Sequence, residues 1–180
     1  TFSFTSYETH LSVEYDSGNN NNNKGVISIT EPGEYQVDVI WRNDLAQILF
    51  ANEDNIKCFS DKMFDGLKPN NLSNAFNNCT SLTNIIIPDS VTNIGDFAFY
   101  RCESLESITI PGSVKIINNR AFNGCYSISK IIIEGELNYI DPNVFNYCNN
   151  LETIIVSSES MKNKLIKNGV VPESSKLIVD

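Results

Sequence analysis

Basic residues are scarce in this chain. It carries 13 Lys and Arg against 22 Asp and Glu over 180 residues, which gives a net charge of −9 at pH 7. Proteins that bind nucleic acid or anionic membranes need clustered Lys and Arg to displace the counterions of the phosphate groups. The composition therefore argues against nucleic acid and against an anionic membrane surface as partners.

Long hydrophobic runs are also lacking. No apolar run approaches the roughly 18–20 residues that cross a bilayer, so direct membrane insertion is not expected. The chain begins at Thr1 without a positively charged, apolar leader. We therefore expect it to be a mature form or an excised fragment.

Histidine occurs once, at His10 in a predicted strand. A Ser-His or Cys-His nucleophilic site would have to use it, and no partner residue is evident nearby. Glu134 and Glu136 flank a turn glycine and are interpreted as solvated loop charges and not as an acid/base pair. The sequence therefore predicts no catalytic residues, and we expect a protein that is not an enzyme.

A pattern with a period of 23 residues is present between residues 76 and 156. Cysteines follow phenylalanines by three positions in four successive units, at Phe76 and Cys79, Phe99 and Cys102, Phe122 and Cys125, and Phe145 and Cys148. Each cysteine is followed by Leu or Ile and then by an apolar triplet, at residues 85–87, 108–110, 131–133 and 154–156. Each set of equivalent positions in the successive units is called here a column. So many columns with the same spacing indicate a solenoid of stacked repeats.

The columns also predict how a unit packs. In each Leu-x-x-Ile-x-Ile segment, the leucine and the first and third triplet residues point to one side of a short strand, while the middle residue points to the other. Parallel stacking of the strands, about 4.8 Å apart, joins the inward residues into one core.

The unit at residues 90–112 reads Ser-Val-Thr-Asn-Ile-Gly-Asp-Phe-Ala-Phe-Tyr-Arg-Cys-Glu-Ser-Leu-Glu-Ser-Ile-Thr-Ile-Pro-Gly. It resembles the BspA-type leucine-rich repeat, whose pattern is Leu-x-x-Ile-x-Ile-Pro-x-x-Val-x-x-Ile-x-x-x-Ala-Phe-x-x-Cys. Glu134 and Ser157 depart from the proline of this pattern, and Val144 departs from its alanine; we interpret all three as ordinary drift. The fold class expected is a right-handed leucine-rich-repeat solenoid, mainly parallel β, with short helical or irregular convex segments.

Three regions are predicted along the chain. Residues 1–42 alternate apolar and polar positions and form a β-rich N-terminal segment, with a hairpin across the turn at residues 31–34. Residues 43–157 form the repeats, degenerate over 43–75 and regular over 76–157. We expect residues 1–42 to cap the solenoid, with a small independent binding domain as the alternative.

Residues 158–180 are predicted to form a C-terminal cap. Ser158 can cap a short helix over residues 159–167, with Met161 and Leu165 on one face and Gly169 as the stop. Residues 176–179 can add a last strand.

The five cysteines allow either disulfides or free thiols. Four of them, at positions 79, 102, 125 and 148, occupy equivalent places in successive stacked repeats, or rungs, and are called here the ladder cysteines. A small buried side chain fits these places, so free buried thiols are favoured. The rung spacing falls within the Cα range of a disulfide, which keeps that alternative open. Cys58 lies outside the ladder, and its state is undefined. Single stacked cysteines cannot surround zinc, and Asp16 with the asparagine run lacks the spacing of a calcium loop, so no metal or cofactor is predicted.

The outward face of the strands, expected to be concave and called here the strand face, carries the candidate binding site. Its middle column reads Ile86, Thr109, Ile132 and Ile155, and the flanking positions include Asn84, Ser107, Lys130, Thr153 and Glu106. An apolar stripe with a polar rim is typical of a protein-contact surface. The alternative is that β-branched residues are there only because they favour strands.

The function expected is binding, with a protein as partner and a monomer favoured. The resemblance to the BspA-type family implies a secreted or surface-displayed, adhesin-like microbial protein that contacts host or cell-surface macromolecules. Two alternatives remain: a structural spacer that projects another domain, and a glycan-associated surface protein. A glycan site would need exposed aromatic platforms, and Tyr100, Tyr126 and Tyr147 occupy different columns.

Overall fold

The computed structural model describes residues 69–180 throughout and, before residue 69, the backbone of five short strands. These strands are β1 (Phe2–Ser6), β2 (Leu11–Asp16), β3 (Lys24–Ile29), β4 (Gly33–Val37) and β5 (Ile48–Leu49). The expectations for His10, for Cys58 and for the degenerate repeat up to residue 68, apart from the β5 backbone, lie outside the described residues.

The N-terminal strands pair differently from the prediction. β4 pairs antiparallel with β1, and β3 pairs antiparallel with β2, which also pairs with β5. The predicted hairpin across residues 31–34 is therefore wrong, because the two strands on either side of that turn join different sheets. The β2–β3 register sets Leu11 opposite Ile29 and Val13 opposite Ile27.

The remaining elements belong to the repeats and to the C-terminal segment. They are β6 (Asn93–Ile94), β7 (Ser107–Ile110), β8 (Ile116–Ile117), β9 (Lys130–Ile133), β10 (Tyr139–Ile140), β11 (Thr153–Val156), α1 (Glu159–Lys167) and β12 (Lys176–Val179).

A four-stranded parallel sheet in the order β7-β9-β11-β12 forms the main face of the solenoid. Ser107 pairs with Lys130, Lys130 with Thr153, and Thr153 with Lys176, each 23 positions along the chain. The leucine-rich-repeat fold is confirmed, and the predicted last strand at residues 176–179 is present as β12. Along β7, β9 and β11 the first and third triplet residues are buried while the middle one is more exposed, as the pleat requires.

The first triplet, residues 85–87, is not a regular strand. It nevertheless keeps the alternation, since Ile85 and Ile87 are buried and Ile86 is 55% exposed. The backbone amide of Glu106 connects the next rung to it by donating to the Thr83 carbonyl oxygen at 3.2 Å.

A second parallel sheet, in the order β10-β8-β6, was not predicted. Its two-residue strands contain the isoleucine column at Ile94, Ile117 and Ile140, which the sequence pattern shows only as isolated apolar positions. Turns connect the two sheets, and no helix occurs in residues 69–157. The connecting segments are therefore of the irregular kind.

The phenylalanine column forms the centre of the core. The rings of Phe76 and Phe99 are stacked with centroids 5.1 Å apart, as are those of Phe99 and Phe122, while Phe122 and Phe145 are 6.0 Å apart and tilted by 34°. Phe122 is fully buried between two ring neighbours.

The cysteine column runs beside the phenylalanines. Cys79, Cys102, Cys125 and Cys148 are free and buried, which confirms the prediction of free thiols for these four. Each of the last three thiols donates to the carbonyl oxygen of the phenylalanine on the preceding rung, with Sγ to O distances of 3.1 Å. The same three carbonyl oxygens also accept the backbone amides of Cys79, Cys102 and Cys125 at 3.2–3.3 Å, so each thiol adds a second hydrogen bond to an acceptor that already has one.

The residue before each ladder cysteine adopts a left-handed backbone conformation. These residues are Asn78, Arg101, Gly124 and Tyr147, with φ values of 60°, 56°, 78° and 62°. Glycine adopts this conformation without a steric cost and asparagine tolerates it, whereas for most other residues it costs about 1–2 kcal/mol. The repeat therefore stores local strain at Arg101 and Tyr147.

Replacing Tyr147 with glycine should raise the free energy of unfolding. Tyr147 is 66% exposed, so the substitution loses little buried surface, and removing Cβ relieves the strain. After the entropy cost of glycine in the unfolded chain, we expect a net gain of about 0.5–1 kcal/mol in urea unfolding. Tyr139→Gly is the control, because Tyr139 is also exposed but lies in β10 without a positive φ, and it should lose stability. Similar losses in both variants would contradict the strain argument.

The predicted C-terminal helix is confirmed as α1, from Glu159 to Lys167. The Ser158 hydroxyl accepts a hydrogen bond from the Met161 amide at 3.0 Å, and Met161 and Leu165 are buried on one face. Gly169 follows the helix with a φ of 65°. Neither this helix nor any other in the described residues is long and apolar enough to cross a membrane.

Candidate functional site

The middle column of the strand face is exposed while its neighbours are buried. Ile86 is 55% exposed and Thr109 is also exposed, whereas Ile132 and Ile155 are half-buried. The residues on either side of each in the chain point into the core and are almost completely buried. The structure therefore brings the four predicted stripe residues onto one surface, one rung apart.

A fifth stripe residue was missed. Ile178 of β12 pairs in register with Ile155 and is 44% exposed. The sequence indicates this residue by its spacing, because Ile178 lies 23 residues after Ile155. It was not included in the predicted stripe because residues 158–180 were predicted to form a cap. The apolar stripe thus continues through the last strand.

Polar residues flank the stripe on the side where the strands begin. Asn84, Ser107 and Lys130 are exposed and Thr153 is half-buried, and the register adds Lys176 as the next member of this column. Glu106 is exposed beside Ser107, and its backbone carbonyl oxygen accepts a hydrogen bond from the Ser129 amide at 2.9 Å. The side chain of Glu106 is therefore available to solvent while its backbone joins two rungs.

A shallow groove of about 300 Å³ lies at the first two rungs of this face. It contains four predicted residues, Asn84, Ile86, Ser107 and Thr109, and the remaining predicted residues lie outside it: Glu106, Lys130, Ile132, Thr153 and Ile155. The opposite wall is formed by Asp89, Pro111 and Glu134. The predicted site is therefore one continuous face with an indentation at the end that begins with the first two rungs.

The two acidic residues of the groove were not identified as site residues. Glu134 was interpreted as a solvated loop charge, and Asp89 follows the proline that ends the first triplet. Both carboxylates are exposed, and neither forms an ion pair within residues 69–180. The groove therefore has an acidic wall that no ion pair within residues 69–180 neutralises.

A second cleft, of about 320 Å³, lies near the C-terminal helix. Phe145, Tyr147, Cys148, Val170 and Pro172 are among its lining residues. Burial raises the pKa of the Cys148 thiol to about 12, so this cysteine stays protonated at neutral pH. Because the thiolate is the reactive form, the geometry does not provide a nucleophile here.

Two other thiols of the cysteine column, Cys102 and Cys125, also have raised pKa values. Burial raises the pKa of Cys102, with a further contribution from Cys125 and Cys79, and it raises the pKa of Cys125, with a further contribution from Cys148. Within residues 69–180, no group of His, Cys, Asp and Glu side chains is arranged to hold a metal ion.

Comparison with protein families identifies the repeats. A family model described as the BspA type leucine rich repeat region matches six copies over residues 72–175. No curated protein sequence matches the chain at a significant level.

Solved structures of three bacterial proteins are similar to parts of the chain. A leucine rich cell surface protein from Faecalibacterium prausnitzii is 34% identical over 51% of this chain, with a TM-score of 0.49. The pneumococcal vaccine antigen PcpA is 20% identical over 77%, with a TM-score of 0.43, and a leucine-rich repeat protein from Bacteroides ovatus is 17% identical over 81%, with a TM-score of 0.36. The chain spans 24%, 42% and 54% of the lengths of these three proteins, respectively.

Proposed function

The chain belongs to the BspA-type leucine-rich-repeat family, and from this premise we propose that it is a non-catalytic binding module that recognises a protein through the strand face. The proposal includes a location outside the cell or at its surface, in a microbe whose partner protein lies on a host cell, in its matrix or on another cell. This setting is the one that the family resemblance implies.

The observation that carries the proposal is the exposed apolar stripe. Isoleucine occupies four of the five outward positions, and the two at its ends, Ile86 and Ile178, are 55% and 44% exposed. Strand propensity alone is satisfied equally well by threonine, as at Thr109, without leaving an aliphatic side chain in water. Burial of such a stripe by a partner removes apolar surface from water, which favours association.

The polar residues at the edge of the stripe, its rim, support the same interpretation. Asn84, Ser107, Lys130 and Glu106 flank the stripe, on the side where the strands begin, with exposed polar groups of both charges. A desolvated apolar centre with a polar, hydrated edge is the usual organisation of a protein interface. We therefore propose that the stripe binds the partner protein and that the polar rim orients it.

The decisive experiment measures binding of the purified chain to host epithelial cells and to extracellular-matrix proteins. The test variant is Ile86→Asp/Ile132→Asp, which charges the stripe without altering an inward position. We expect its apparent affinity to fall by about tenfold or more, because central apolar contacts dominate interface energies.

Ile166→Asp is the matched control. Ile166 is 58% exposed, but it lies on α1 and not on the strand face. The Ile166→Asp variant should therefore bind as tightly as the parent. Circular dichroism must show unchanged folding of both variants. Equal loss in both would point to a nonspecific hydrophobic effect, equal binding by all three would move recognition away from the strand face, and no binding by any would favour a spacer.

A further inference from the structure

We propose that the groove at the first two rungs of the strand face receives an arginine side chain presented by the bound protein. This inference rests on the proposed function, because the groove is part of the same face, and it specifies the chemistry of one contact. Three features of the groove carry it: an apolar floor, an unpaired acidic wall and a neutral polar wall.

The floor suits the aliphatic part of a long basic side chain. Ile86 is 55% exposed at this point, and Thr109 follows it on the next rung. Arginine and lysine bury their methylene stems against apolar surface while the charged end stays hydrated. An acidic or short polar side chain would leave this floor uncovered.

The acidic wall favours a ligand group with a positive charge. Asp89 and Glu134 line the same groove on either side of Pro111, and they lie about two rungs, or roughly 10 Å, apart. A guanidinium group has donors on both edges and can face two acceptors at once, whereas an ammonium group is a compact point charge. On the other wall, Asn84 and Ser107 offer neutral acceptors.

The described chain does not provide this cation itself. Lys130 lies on the same rung as Glu134, but four residues of extended strand separate them by about 13 Å. Lys115 lies beside the groove, where its Nζ donates to the Gly112 carbonyl oxygen at 2.6 Å and to that of Glu136 at 3.5 Å, but within residues 69–180 it forms no ion pair with Asp89 or Glu134. The chain as a whole carries a charge of −9, which favours approach of a basic segment.

The test uses the complete, isotope-labelled chain and the peptide acetyl-Gly-Arg-Gly-amide, followed by amide chemical shifts at low salt. We expect saturable binding in the millimolar range, with the largest shifts at Ile86, Thr109 and Glu134. The same peptide with citrulline, which has the shape of arginine without its charge, should bind about three- to tenfold more weakly. The lysine peptide should bind less tightly than the arginine peptide.

The variant Asp89→Asn/Glu134→Gln should bind the arginine peptide only as well as the parent binds the citrulline peptide. Glu173→Gln removes an exposed carboxylate outside the groove and should leave the affinity unchanged. Equal affinity for arginine and citrulline, shifts confined to other surfaces, or no saturable binding would overturn the proposal. Equal affinity for lysine would overturn the choice of arginine.

The peptide experiment and the cell-binding experiment can fail separately. Arginine binding in the groove, together with cell binding that Ile86→Asp/Ile132→Asp does not reduce, would refute the proposed function and leave the groove assignment intact. Loss of cell binding in that variant, together with no preference for arginine over citrulline, would refute the groove assignment alone.

Discussion

Phe122→Ala is expected to lower the free energy of unfolding by about 3–5 kcal/mol, the range for removal of a buried aromatic ring. Phe122 is fully buried, and its ring stacks on Phe99 with centroids 5.1 Å apart and contacts Phe145 at 6.0 Å. Alanine would leave a cavity between two rungs and remove both ring contacts at once. In a solenoid each unit is stabilised mainly by its neighbours, so a loss in the middle weakens two interfaces.

Urea unfolding followed by circular dichroism measures this effect, with the midpoint and the slope recorded for each variant. Phe145→Ala should cost less, because Phe145 has one ring neighbour in the column and that contact is longer and tilted. Tyr126→Ala is the surface control, since Tyr126 is 39% exposed, and it should change stability by less than about 1 kcal/mol. A Phe122→Ala midpoint equal to that of the parent would contradict the stacked core.

Features that depend on one period were predictable from the sequence. The inward columns, the free thiols of the ladder and the outward stripe all repeat every 23 residues, and the parallel register observed between β7, β9, β11 and β12 has the same spacing. Helix α1 was predictable for a different reason, because Ser158, Met161, Leu165 and Gly169 supply its cap, its buried face and its end locally.

Features that depend on which segments meet across the fold were not predictable in this way. The turn at residues 31–34 indicated a hairpin, but strand pairing is a competition among several apolar segments, and β1 is the partner of β4. The second sheet has strands of only two residues, too short for alternation to be visible. Asp89 and Glu134 line one groove because the stacking of rungs brings residues 45 positions apart in the chain to within about two rung spacings of each other.

The stability of the protein should fall steeply as the pH rises above about 9. Burial raises the pKa values of Cys102, Cys125 and Cys148 in the folded state, for Cys148 to about 12, whereas an unfolded cysteine has a pKa of about 8.5. Below pH 8 both states keep these protons, so the thiols add no pH dependence. Above the unfolded pKa only the unfolded state releases protons, and alkaline conditions therefore favour unfolding.

The expected slope is large because three groups act together. Each thiol that ionises only on unfolding lowers the free energy of unfolding by about 1.4 kcal/mol per pH unit, so three give roughly 4 kcal/mol per unit between the unfolded and folded pKa values. Two or three such units remove about 8–12 kcal/mol, which is most or all of the ordinary stability of a domain, about 5–15 kcal/mol. Urea unfolding at pH 7, 8, 9 and 10, with a reductant that prevents disulfide formation, measures the slope.

Cys125→Ala separates the thiols from the other groups that titrate at high pH. At pH 7 this variant should be less stable than the parent by about 1–2 kcal/mol, because it loses the hydrogen bond from the thiol to the Phe99 carbonyl oxygen and some buried volume. Its alkaline slope should be smaller by about 1.4 kcal/mol per unit, since alanine cannot ionise. The two stability curves should therefore meet between about pH 9 and pH 10. Parallel stability curves of the parent and Cys125→Ala from pH 7 to pH 10 would mean that Cys125 ionises as readily in the folded state as in the unfolded state. The prediction that this buried thiol stays neutral in the fold would then be wrong.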